Sequence, residues 1–273
     1  HIGTVSEGSI SVGDSAAAEI DRVRRLSTSR NHSATHLLQK ALRTVLGTHV
    51  EQAGSYVTPD RLRFDFTHFA AMTPEEIQQV EDIVNEKILE SLPISATQES
   101  IEDARKLGAM ALFGEKYGNI VRVVNMGGYS IELCGGAHLD NTAQVGSFKI
   151  VSESGIASGV RRIEALTGAA ALKHYQHQEE SLKAVCKAVK SNPENMVKRV
   201  EAVIAEQKQL AKELESLKAK MAGGAADSIL ANAVEVKGIK LVAAEVKEAD
   251  ANALRTMGDQ LKNKLGSGVV VLA

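Results

Sequence analysis

Tryptophan is absent from this chain, and all aromatic residues together make up only 3 %, so Leu, Val, Ile and Ala must build most of any core. No apolar run approaches the ~20 residues that a membrane-spanning helix needs, and no stretch reads as a secretory signal. An excess of either charge is also missing. The formal net charge is −2, so the chain as a whole offers no basic field, and contact with nucleic acid would require a local patch. The two cysteines, Cys134 and Cys186, allow one disulfide but suit a reducing, cytoplasmic setting better. An initiator Met is lacking too. The chain opens on His1 and closes on the apolar run 268–273, so both ends read as cuts through a longer protein. Its 273 residues suffice for one large domain or two smaller ones.

The pattern predicts an α+β fold in four segments. Residues 1–30 hold Gly, Ser and short alternating apolar pieces, expected to be the last strands of a truncated β-barrel or a linker. Residues 31–168 read as a compact α+β unit. An amphipathic helix follows the candidate caps at 27–31 and stops at Gly47, and 55–66 alternates as one strand. Thr73-Pro74-Glu75-Glu76 opens a second helix running to about Leu92, and 102–107 is a short helix. Strands are expected at 121–125, 130–133 and 147–153. Residues 169–224 are a helical linker. Within it, positions 196, 200, 203, 207, 210, 214, 217 and 221 form a heptad seam broken by Gln207. A helical hairpin turning at Asn192-Pro193 is favoured over a homodimeric coiled coil, because the seam spans only about three to four heptads. Gly223-Gly224 should break the helix. Residues 225–273 then read as a short helix and a truncated βαβ piece.

Two histidines, His32 and His36, stand four apart on the first predicted helix, which puts both imidazoles on one face. Cys134 and His138 repeat the spacing in a Gly-rich turn. Either pair alone is a weak signal. Together they offer three nitrogens and one sulfur, a plausible tetrahedral zinc set, provided the fold brings helix and turn together. The zinc-protease pattern needs Glu after the first His, where this chain has Ser33, and the deaminase pattern is absent. Arg22, Arg24, Arg25, Arg30, Arg161 and Arg162 are candidate phosphate contacts, with Arg162 alternatively a partner of Glu164; Lys116 is a further candidate. Cys186 reads as a packing residue, and His174 and His177 as surface residues.

Four stretches, "RNHSATHLLQKALRTVLGTHVEQAGSYVTPDRLRFDF", "ALFGEKYGNIVRVV", "ELCGGAH" and "SGVRRIEALTG", resemble the editing domain of alanyl-tRNA synthetases over residues 30–168. The remainder resembles the helical linker and the C-terminal tRNA-contacting domain of that family, which free-standing editing factors mostly lack. The resemblance implies hydrolysis of mischarged tRNA(Ala) carrying serine or glycine, with tRNA(Ala) as partner and one Zn2+ held by His32, His36, Cys134 and His138. It implies roles for Gln52 in editing and for Thr35 in seeing the serine hydroxyl, a hydrogen-bonding task because size exclusion would reject serine. Thr35 could instead bond its own helix backbone. Arg30, Lys116, Arg161 and Arg162 become candidate tRNA contacts. ATP and Mg2+ would belong only to the aminoacylation domain, outside this chain, and a homodimer would form through the helical and C-terminal region. A free-standing editing factor and a non-catalytic zinc-stabilised tRNA-binding module are the alternatives. One departure stands out. The family usually has Thr where this chain has Ala137, so a hydroxyl is lost between metal ligands and efficiency is expected to fall.

Overall fold

The computed structural model describes residues 3–110, 118–246 and 251–273. The chain is α+β and divides into two compact units, residues 1–179 and 180–273, with the division inside one helix.

The first unit begins with an exposed segment without regular structure. The strands expected within 2–26 are not there among the described residues. Alternation makes a strand only where a neighbour supplies a hydrogen-bonding ladder, and Val5, Ile10, Val12 and Ile20 find none and stay exposed. Helix α1 (Arg22–Leu46) starts earlier than expected because Asp21 caps it, its side chain accepting from the Arg24 amide; Gly47, at φ 116°, ends it as predicted. The segment expected to be one strand is a hairpin, β1 (Gln52–Val57) and β2 (Leu62–Thr67), turned where the Thr58 amide donates to the Arg61 carbonyl. Helix α2 (Pro74–Leu89) carries the full capping box between Thr73 and Glu76 and stops short of Leu92, with Ser91 at φ 56°.

Strand β3 (Ile94–Ser100), helix α3 (Ile101–Lys106), strand β4 (Ile120–Met126) and strand β5 (Ser130–Leu133) follow. Then come β6 (Phe148–Ala157), β7 (Val160–Thr167) and helix α4 (Gly168–Ala188). The strands form two antiparallel sheets, ordered β1-β2-β7-β6 and β3-β4-β5. Helices α1 and α2 pack together against the first sheet, burying Leu37, Leu38, Leu42, Val80 and Val84 with Phe64, Phe66, Phe148 and Ile163. The chain has five phenylalanines, and three of them sit at the centre of this aliphatic core. Asp65 points to the opposite face of β2 from Phe64 and Phe66. Its direct cross-strand neighbour is Arg162, whose Nε and Nη2 donate to its two carboxylate oxygens at 2.7 and 2.8 Å. The expected partner of Arg162, Glu164, meets Arg61 at 3.5 Å instead.

In the second unit, α4 ends and α5 (Met196–Leu230) begins around a turn where Cys186 is buried against the Met196 sulfur. The helix runs through Gly223-Gly224 rather than breaking there. A glycine costs a helix only about 1 kcal/mol, and the next turn is anchored by Ala226, buried with Met257 and Leu261. The seam positions Val203, Leu210, Leu214, Leu217 and Met221 are exposed. Strands β8 (Val234–Val236), β9 (Ile239–Ala244) and β10 (Gly268–Leu272) form a sheet ordered β10-β9-β8, with helix α6 (Ala251–Leu265) crossing between the parallel pair β9 and β10. Among the described residues no helix is long and apolar enough to cross a membrane.

Candidate metal centre

Helix α1 is the rigid half of the site. It is pinned by the residue just before the first histidine: buried Asn31 donates to the Thr58 carbonyl at 2.7 Å and accepts from the Thr167 hydroxyl at 2.7 Å. His32 and His36 then project from the same face, one turn apart, with ring centroids 5.3 Å apart. The second half is the turn that leaves β5. The Cys134 amide continues the ladder by donating to the Arg122 carbonyl at 3.0 Å. The Arg122 side chain closes the turn from the same strand, Nη1 donating to the carbonyls of Cys134 at 2.9 Å and of Gly136 at 2.8 Å.

The fold brings the two halves together. Cys134 Sγ lies 3.4 Å from His32 Nε2 and 3.3 Å from His138 Nε2, and the ligand atoms of His32, His36, Cys134 and His138 all lie within 4.8 Å of one another. A tetrahedral zinc ion with ordinary Zn–N and Zn–S lengths needs donors about 3.3–3.6 Å apart, so the two sulfur–nitrogen distances already match a coordination shell and the widest pairs would close in by up to about 1 Å around an ion. One atom tests the fit directly. His36 Nε2 is buried without a hydrogen-bond partner, a costly arrangement for a polar atom unless something else binds it. Three imidazoles and a thiol are a donor set that zinc accepts, and the residues fit the ion.

Gly136 explains why the turn can close. A Cβ at this position would stand 2.0 Å from His32 Cε1, whereas one at Gly135 would meet nothing within 4 Å. The second glycine is therefore required by contact, and neither needs a left-handed backbone.

The electrostatics follow from crowding four such groups. Burial opposes charge on the Cys134 sulfur, but the imidazoles around it, His138 foremost, outweigh that and pull it down to about 3. Burial likewise opposes a charged His36, yet the Glu132 carboxylate and the Cys134 sulfur raise it to about 10. Burial pushes His138 down. The Cys134 and His36 shifts both run toward a thiolate at Cys134, the form of the sulfur that a metal ion binds.

The other candidates lie elsewhere or are otherwise engaged. Thr35 is buried, and its hydroxyl donates to the Asn31 carbonyl at 2.8 Å, the local pairing open to a helical Thr. Gln52 begins β1, half-buried opposite Phe66, and among the described residues no hydrogen bond joins it to the four-residue cluster. Arg30 Nε donates to the Gln144 carbonyl at 2.9 Å. Arg161 is clamped by Glu153 at 2.5 and 2.7 Å, and Arg162 by Asp65. Lys116 lies outside the described residues. Ala137 is half-buried beside His138.

Sequence reasoning missed Ser33, Arg122 and Glu132. Ser33 excludes the zinc-protease pattern by its identity, and its hydroxyl lies 3.2 Å from His138 Nδ1 and accepts from the Leu139 amide at 3.2 Å. Glu132 accepts from His36 Nδ1 at 2.6 Å. Its signal was in the strand: Ser130, Glu132 and Cys134 alternate, which sets polar residues on the face that carries the thiol.

Comparison with known proteins gives a consistent outcome. A family model described as the threonyl and alanyl tRNA synthetase second additional domain matches residues 121–164, which include Arg122, Glu132, Cys134 and His138. The alanine–tRNA ligase of Acetivibrio thermocellus is 59 % identical over 272 residues, that of Clostridioides difficile 53 % over 273, and that of Bacillus anthracis 52 % over 273. Each match covers all of this chain but only 31 % of the relative, so the chain spans about a third of the length of the curated relatives it matches.

Proposed function

The chain belongs to the alanine–tRNA ligase family, and from that premise we propose that it is an editing hydrolase, releasing serine or glycine from mischarged tRNA(Ala). The observation that carries the proposal is the closure of His32, His36, Cys134 and His138 into one donor cluster around a partnerless His36 Nε2.

When bound by these four residues, zinc would supply fixed positive charge that orients the 3′ end of the tRNA. Four protein donors make a closed shell, which favours this positioning role over delivery of a bound water. Thr35 gives selectivity for serine over alanine. Its hydroxyl proton goes to the Asn31 carbonyl, leaving oxygen lone pairs that can accept from a seryl hydroxyl, which an alanyl group lacks. Gln52 holds the attacking water through its side-chain amide, a role suited to a half-buried neutral residue. Arg30 contacts phosphates of the acceptor strand, a role also assigned to Lys116 by its sequence alone, and Arg161 and Arg162 add positive potential even while paired with Glu153 and Asp65. The exposed seam of α5 joins a second copy of the chain. ATP and Mg2+ act in the aminoacylation region of the longer protein, and the site works in the cytoplasm, where its thiolate stays reduced.

The closed donor set also suits a second reading, a zinc-stabilised module that binds tRNA without cleaving it. One paired measurement decides. Zinc content and Ser-tRNA(Ala) deacylation are determined for the chain and for Cys134→Ala. The editing reading expects about one zinc per chain and deacylation that spares Ala-tRNA(Ala), both lost in the variant. A folded, zinc-loaded chain that binds tRNA(Ala) and leaves the seryl ester intact would establish the binding module instead.

A further inference from the structure

Two of the three histidines in the cluster are tied at the ring nitrogen that faces away from the thiol. His36 Nδ1 donates to Glu132 Oε2 at 2.6 Å, and both residues are buried. Glu132 is itself held, since the Ser130 hydroxyl donates to Oε1 at 2.7 Å and Ser130 is buried as well. His138 Nδ1 lies 3.2 Å from the Ser33 hydroxyl, and that oxygen also accepts from the Leu139 amide, in the turn that carries His138. Ser33 is fully buried. In both rings Nδ1 is occupied, which leaves Nε2 for the cluster: the His138 Nε2 stands 3.3 Å from Cys134 Sγ, and the His36 Nε2 is partnerless.

A neutral imidazole has one N–H and one lone pair, and the partner of one nitrogen decides which nitrogen carries the lone pair. A buried carboxylate or hydroxyl at Nδ1 holds the proton there, orients the ring and makes Nε2 the better donor. We propose that Glu132, supported by Ser130, and Ser33 are positioning residues for the metal site, holding His36 and His138 with Nε2 presented to the ion. Ser33 sits between His32 and His36 in sequence but serves the histidine of the opposite half. It thereby ties the helix to the turn while orienting a ligand of that turn. The inference rests on the metal reading of the cluster and adds to it the residues that fix the tautomers.

The test measures zinc affinity of the intact chain against a chromophoric chelator, together with the visible spectrum of the Co2+-loaded chain and the melting temperature of the metal-free chain. The variants are Glu132→Gln, Ser33→Ala and Ser130→Ala. Glu132→Gln keeps the shape and an acceptor oxygen but loses the charge. It is expected to weaken zinc binding by about 10–100-fold and to alter the Co2+ d–d bands of the folded chain, and to lower the metal-free melting temperature as well, because Glu132 also pairs with the buried His36. Ser33→Ala is expected to weaken zinc about tenfold, and Ser130→Ala by less, because it acts through Glu132. Affinities of Glu132→Gln and Ser33→Ala within twofold of the parent chain, with unchanged Co2+ spectra, would overturn the positioning role while leaving the metal site standing. A parent chain that binds neither zinc nor Co2+ would overturn both. Deacylation enters none of the three readouts, so failure of the hydrolase reading is separately visible.

Discussion

Replacing Gly136 by alanine adds one carbon at the tightest point of the metal centre. That carbon would stand 2.0 Å from Cε1 and 2.5 Å from Nδ1 of His32, where real Cβ contacts essentially never fall below 3.0 Å. Ring or turn must therefore yield by about 1 Å, well beyond the ±0.2 Å within which metal–ligand distances are held. The turn cannot yield easily, because Arg122 grips the carbonyls on both sides of Gly135. The His32 ring swings away instead and is lost as a ligand. If a structural zinc site contributes about 10–16 kcal/mol over four ligands, the loss of one costs roughly 3 kcal/mol, or about 100-fold in zinc affinity. The fold should tolerate the change, since overpacking of this kind costs about 1–3 kcal/mol and both residues are half-exposed. Gly135→Ala is the control, with no atom within 4 Å of its new carbon. Chelator competition on the three proteins checks the argument. Parent-like zinc affinity in Gly136→Ala, or an equal loss in Gly135→Ala, would refute the contact reasoning.

Asn31→Ala removes the buried bonds to Thr58 and Thr167, and should destabilise the first unit by about 1–3 kcal/mol in urea titration; a loss under 0.5 kcal/mol would mean that α1 is held by packing alone. Thr73→Ala breaks the capping box of α2 and should cost about 1 kcal/mol without altering zinc affinity, and a matching loss of zinc would show that α2 bears on the site. Ala137→Thr restores a hydroxyl beside His138 and is expected to raise Ser-tRNA(Ala) deacylation by up to about fivefold, the worth of one hydrogen bond; no gain would make the hydroxyl irrelevant here. Leu214→Glu with Leu217→Glu should shift the chain from dimer to monomer in sedimentation, and a parent chain already monomeric at high concentration would remove the role assigned to the α5 seam.

The parts legible in the sequence are those fixed by local periodicity. A spacing of four on a helix sets His32 and His36 on one face whatever the rest of the chain does, and Thr73 to Glu76 announces its own cap. The meeting of the two metal pairs was not legible, because 102 residues separate His32 from Cys134 and the approach depends on two sheets and a helix packing as they do. Glu132, Ser33 and Arg122 are common polar residues whose tasks exist only after that closure. Strand β3 was invisible for another reason: it lies at a sheet edge with mostly exposed side chains, so its pairing with β4 leaves no apolar alternation to read. The turn at 58–61 is hidden in the sequence because apolar alternation continues on both sides of Pro59-Asp60, although that pair carries the turn chemistry.

The split of the ligand set also orders events during synthesis. The chain leaves the ribosome from its N-terminal side at about 5–20 residues per second, so the helix bearing His32 and His36 is exposed roughly 5–20 s before Cys134 and His138 follow. Until then the nascent segment offers an ion two nitrogens, a weak and unselective grip. Selectivity for a thiolate-loving metal arises only when the β4–β5 hairpin docks, and the same docking covers His36. Any ion held by all four residues is therefore a late guest, one that seals a completed fold and that immature chains do not compete for.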